Sequence, residues 1–190
     1  MKTMRMPYAG HVSFLGAPVW RGEEDLAWAD IAVLGVPIDM ATTNRPGARY
    51  GPRAIREASM LYTYDEAGVV AAHGPLKGLT GLYDVDERKT ILQGYHLLDC
   101  GDVPVLASEL MVTFDRITAA ARMLFERPLF PVFLGGDHSM TYPILRAWPG
   151  HAPVHVVHFD THMDVLDQLD GARFTHGSPC LLYTSPSPRD

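Results

Sequence analysis

The chain has 190 residues, 47% hydrophobic and 20% charged, a balance that fits a soluble globular protein with one sizeable core. Its net charge of −6 speaks against a nucleic-acid partner and suits a cationic one. No apolar run approaches membrane-spanning length, the start lacks a secretion signal, and Cys100 and Cys180 form no CxxC pair, so a cytoplasmic protein with no membrane partner is expected.

In chain order, "IAVLGVPID" (31–39) reads as a buried strand ending in a turn. The next stretch is a loop rich in Thr, Gly, Pro and Arg. Pro52 then suits the first turn of a helix, in which Ile55, Ala58, Leu61 and Tyr62 fall at helical spacing. Residues 68–81 are weakly patterned and read as loop. "YHLLDCGDVPV" offers a short strand and a turn. The clearest helix carries a stripe of Leu110, Phe114, Ile117, Ala121, Leu124 and Phe125, with Ser108 as its expected N-cap. "LFPVFLGG" (129–136) is a strand stopped by two glycines. "SMTYPILRAW" is a short helix with Pro143 near its start, and "VHVVHF" (154–159) a final strand. Strands alternating with helices predict a parallel sheet flanked by helices. The tail "LLYTSPSPRD" is Ser/Pro-rich, without an apolar period, and is left outside the fold.

Ligands of open α/β sheets bind beyond the carboxyl ends of strands. Two strands here are followed by metal-ligand residues: "DHS" after 129–136 and "DTHMD" after 154–159. In an extended segment alternate side chains share a face, so Asp160, His162 and Asp164 would point at one spot, and His138 would sit at the sheet rim. Carboxylates with imidazole suit Mn2+, Zn2+ or Fe2+, and a carboxylate can bridge two ions that share a hydroxide. The absence of a thiolate from the set argues against a Cys-rich structural zinc site. Asp137 reads as a helix cap or turn former. His151, His155 and His158 read as ordinary histidines, and Asp167 and Asp170 as solvated loop acids. His176, in "THGSP", is a loop histidine that either ferries protons at a cleft or has no role. Arg45, Arg49 and Arg53 either recognise an anionic group or, as we prefer, hold their loop.

"GGDHS" (135–139), "DTHMD" (160–164) and "HGSP" (176–179), in this order, resemble motifs of the ureohydrolase family, which includes arginase, agmatinase, guanidinobutyrase and formiminoglutamase. "GVPIDMATTNRPGARYGPRAIREAS" (35–59) resembles the agmatinase-like branch. The resemblance implies a three-layer α/β/α fold with a mainly parallel sheet and a binuclear Mn2+ centre. It implies that His138 and Asp164 bind one ion and His162 the other, that Asp160 bridges, and that His176 is a catalytic proton-transfer group. The implied reaction is hydrolysis of a small cationic guanidino substrate, agmatine-like, to urea and an amine. Alternatives are a guanidinobutyrase, guanidinopropionase or formiminoglutamase activity, or a non-catalytic metal-binding protein.

Thr161 stands where the family has alanine, facing away from the metals, with little expected effect. The family also has a downstream strand with two further aspartates that this sequence does not reach. The expectation is therefore a ureohydrolase domain over residues 1–180, incomplete at its C-terminal side, followed by an unrelated tail over 181–190. Such a fragment would have reduced or no activity, whereas the full-length form would be a homo-oligomer.

Overall fold

A computed structural model of the chain describes residues 10–63, 79–150 and 153–184. In chain order the regular elements are β1 (Ile31–Val36), α1 (Gly51–Ser59), β2 (Leu82–Asp84), β3 (Lys89–Ile91), β4 (Leu97–Asp102), α2 (Leu110–Phe125), β5 (Phe130–Gly135), α3 (Thr141–Arg146) and α4 (Pro179–Thr184). They fall into two compact units. The first holds the described residues of Met1–Gly35, Pro52–Asp102 and Arg127–Leu134; the second, those of Val36–Gly51, Val103–Glu126 and Gly135–Asp190.

The first unit is organised by a three-stranded sheet in the order β4-β1-β5, with β1 and β4 paired in parallel. This is the parallel pairing expected from strands alternating with helices. The aliphatic run of β1 is buried on both faces, as a central strand requires. Val33, Leu97, Leu134, Ala17 and Leu79 form a buried cluster, with Phe14 and Val132 packed against it. The edge of β4 is covered by residues 18–20: Trp20 N–H donates to Asp99 O and Asp99 N–H to Pro18 O, both at 2.9 Å. β2 and β3 form a separate antiparallel hairpin.

Helix α1 buries a polar face. Pro52, Arg56 and Ser59 are buried, whereas Ile55 and, just past the helix, Leu61 and Tyr62 are exposed. The apolar spacing therefore marks the outward stripe. Arg56 can be buried because Asp99 and Asp102 neutralise it at 2.8 and 2.6 Å. Burial alone would lower the Arg56 pKa, and the two carboxylates outweigh it and raise it.

In the second unit α2 presents the expected stripe. Phe114, Ile117, Ala121 and Leu124 are fully buried, each large side chain contributing about 1.5–3 kcal/mol. Phe114 meets Tyr142 and Phe174 edge-on, with ring centroids 6.0 Å apart in each case. The cap differs from expectation. Glu109 precedes the helix without a side-chain cap bond, and Thr113 Oγ1 instead accepts from Leu106 N–H at 3.0 Å. α4 also runs through Thr184, so part of the segment set aside as tail is helical.

One expected strand does not form. Residues 154–159 have no ladder partner among the described residues, and Val157 and Phe159 are 77% and 93% exposed. An apolar run becomes a strand only when a neighbour satisfies its backbone, and none of the described residues pairs with this one.

Candidate metal centre

The segments that follow β1 and β5 supply the frame of the site, within the second unit. Gly136 sits at φ +47°, a conformation costly to other residues, and an added Cβ would overlap the backbone oxygens of Val36 and Ile38. That close approach lets Asp137 N–H donate to Ile38 O at 2.7 Å. Asp137 is the turn former expected: its Oδ1 caps Ser139 N–H at 2.8 Å and its Oδ2 accepts from Ala41 N–H at 3.1 Å. His138 follows on a single 3-10 turn.

The His138 ring bonds to the Asp164 carboxylate through Nδ1 and stacks on His158, centroids 5.1 Å apart. Asp160 lies between imidazoles. Its Oδ2 is 3.9 Å from His138 Nδ1 and 3.5 Å from His158 Nε2, and its Oδ1 is 3.5 Å from His162 Nδ1. One donor atom from each of His138, His158, Asp160 and Asp164 falls within a 4.8 Å cluster. Two imidazoles and two carboxylates are a donor set that fits a divalent first-row ion. The His162 backbone N–H is the chief influence that lowers the Asp160 pKa; burial opposes it, and the His158, His138 and His162 rings assist. Asp160 is thus ionised at neutral pH, as a metal ligand must be.

Asp160 and Asp164 come together, but not by strand alternation. Asp164 has φ +50° and the segment is bent, so the His162 side chain is 77% exposed and lies outside the four-residue cluster. His158, read from sequence as ordinary, is inside it. The signal was available, because the acid/imidazole alternation of 160, 162 and 164 extends back to 158. Cys180 was also missed. Its Sγ lies 3.6 Å from His158 Nδ1, and no local pattern announces a residue brought in from 22 positions away.

His176 is half-buried. Its Nδ1 lies 2.7 Å from Ala41 O. A carbonyl only accepts, so Nδ1 carries the proton and Nε2 is the nitrogen left for exchange. Asp39 is buried beside this loop segment and accepts from Gly47 N–H at 2.8 Å and Arg49 Nε at 2.7 Å. Arg49 therefore holds the loop, and Arg53 pairs with Glu57 at 2.8 Å.

Among the described residues no helix is long and apolar enough to cross a membrane. Residues 29–185 match the arginase family. Over 171 residues the chain is 37% identical to human guanidino acid hydrolase, mitochondrial, covering 90% of this chain and 43% of that protein. It is equally, 37%, identical to chicken agmatinase, mitochondrial, with 90% and 44% covered. The chain thus spans less than half the length of these relatives. Among solved structures it resembles a hypothetical agmatinase from Burkholderia thailandensis, with TM-score 0.71 and 30% identity over 91% of this chain and 49% of that one. It also resembles the Trypanosoma cruzi formiminoglutamase solved with Mn2+, with TM-score 0.62 and 26% identity over 89% and 51%. The fold is the arginase-like α/β fold, and the chain belongs to the arginase family.

Proposed function

We propose that this sequence forms part of a Mn2+-dependent hydrolase of a linear guanidino compound, agmatine-like, that releases urea and an amine. The observation that carries the reading is the two-sided environment of Asp160. Its Oδ2 faces His138 and His158, its Oδ1 faces His162, and Asp164 bonds to His138. A bridging role for Asp160, with His138 and Asp164 holding one ion and His162 the other, agrees with that division. Bound ions would supply a nucleophile at neutral pH and stabilise developing charge. A guanidinium is a poor electrophile because resonance spreads its charge, so both are needed. With Nδ1–H held by Ala41 O, His176 would take up at Nε2 the proton given up by the attacking water and pass it to the departing amine. The net charge of −6 suits a cationic substrate. We place the protein in the cytoplasm, with its two cysteines free, and expect a homo-oligomer in full-length form.

The two relatives quoted are equally identical to this chain, so agmatine and guanidino acids are both substrate candidates. The test is a chimera in which a full-length agmatinase carries residues 29–180 of this chain in place of its own. Mn2+-dependent urea release from agmatine, guanidinobutyrate or guanidinopropionate supports the reading. A folded, Mn2+-loaded chimera that is inert on all three overturns it. A second reading, favoured by the 43–44% coverage of the relatives, is that the 190-residue chain binds metal with reduced or no turnover. Urea release by that chain at a full-length agmatinase's rate excludes it.

A further inference from the structure

We propose that His138, His158 and Cys180 form a second, thiolate-containing metal site that takes a softer divalent ion such as Zn2+. One donor atom from each of the three falls within 4.8 Å of the others, so the group does not rest on the cysteine alone. Cys180 Sγ and His158 Nδ1 are 3.6 Å apart. Bond lengths of about 2.3 Å for Zn–S and about 2.05 Å for Zn–N at a tetrahedral angle place the two donors about 3.6 Å apart. That edge of the tetrahedron is already at its bound length. Cys180 is buried and held from two sides. Its N–H donates to Asp164 O at 3.0 Å, and the Tyr183 hydroxyl donates to its sulfur at 3.0 Å.

His158 is two-sided in the way this proposal needs. Nδ1 faces the thiol, whereas Nε2 faces Asp160 at 3.5 Å. His138 and His158 belong to both groups, the one with the thiol and the one with the carboxylates. The two sets therefore compete for the same two imidazoles. Mn2+ favours the carboxylate set, and an ion that tolerates sulfur is drawn to the other. Binding there releases the thiol proton and leaves His138 unavailable to the harder ion. Zn2+ would act as an antagonist of Mn2+ loading through a thiolate that the carboxylate chemistry does not require.

The test uses the 190-residue chain and Co2+ as a spectroscopic substitute for Zn2+. The expected result is a near-ultraviolet sulfur-to-cobalt charge-transfer band that is lost in Cys180→Ser and kept in Cys100→Ser. A wild-type chain that binds Co2+ without the band, or a band that survives Cys180→Ser, overturns the proposal. The unaltered chain gives a second measurement that does not depend on a variant folding. Zn2+ should slow iodoacetamide labelling of Cys180, mapped by peptide mass, by about tenfold or more, because a coordinated thiolate is withdrawn from reaction, whereas Mn2+ should not. Equal labelling with and without Zn2+ counts against the site. Neither readout involves turnover, so the outcome is independent of the urea assay.

Discussion

Arg56 and Asp99 form a forked ion pair. Nε donates to Oδ2 at 2.8 Å and Nη2 to Oδ1 at 2.9 Å, with side-chain exposures of 8% and 3%. The same guanidinium reaches Asp102 at 2.6 Å, but that carboxylate is 42% exposed. Arg56→Met leaves Asp99 buried and uncompensated and should cost about 3–5 kcal/mol. Asp102→Asn removes a contact screened by water and should cost about 1 kcal/mol or less. Urea denaturation of both variants checks the contrast, and equal losses would remove the distinction between the two carboxylates.

Acid should act through Asp39. The Arg49 guanidinium is the chief influence that holds the Asp39 carboxyl below its usual range, against the opposing effect of burial. A carboxyl depressed in the folded state contributes all its stability above the unfolded value of about 3.9 and loses it as pH falls through the folded value. Arg49→Met moves the folded value up toward the unfolded one, so the variant has less of this stability to lose and the gap between the two proteins should narrow as pH falls below about 3.9. Thermal melts through the acid range should show a shallower decline in the variant than in the parent. Parallel acid limbs would mean the ion pair does not set Asp39's titration.

Metal stoichiometry separates the roles proposed for the carboxylates and imidazoles. In the chimera, His162→Ala should reduce Mn2+ from two ions to one, because His162 faces only Oδ1 of Asp160. Asp160→Asn should weaken both ions. Spin-resonance titration of free Mn2+ reads the counts directly. A His162→Ala protein that still binds two ions with unchanged affinity would strike His162 from the ligand set.

Proton delivery by His176 predicts a loss in kcat with little change in Mn2+ affinity. For His176→Ala in the chimera the expected drop is about 10²–10⁴-fold. His176→Asn keeps a side-chain donor for Ala41 O but cannot titrate, and it should fall as far. Recovery of activity in the Asn variant would assign His176 a purely positional part.

The sequence shows β1, α2 and β5 well because each is an apolar run or stripe, buried in β1, along one face of α2 and at Leu134 of β5. The face of α1 is another matter. Its apolar residues mark a stripe, but Arg56 turns that stripe outward because its carboxylate partners lie more than forty positions away. The motif residues of the site are legible as residue types. Their convergence is not, since it depends on the bend at Asp164 rather than on strand alternation. Residues 154–159 show the same limit, because a ladder needs a partner that the pattern of one segment does not specify. The expected loop at 68–81 falls mostly outside the described residues.

Ala41 has a bearing on how the loop beyond it can vary. Its amide steadies the turn that precedes His138, and its carbonyl orients the ring of His176. Both tethers are main-chain atoms, indifferent to which side chain the position carries. The exposed stretch at 43–47 just beyond it can therefore change its side chains while the turn and the imidazole behind it stay in register.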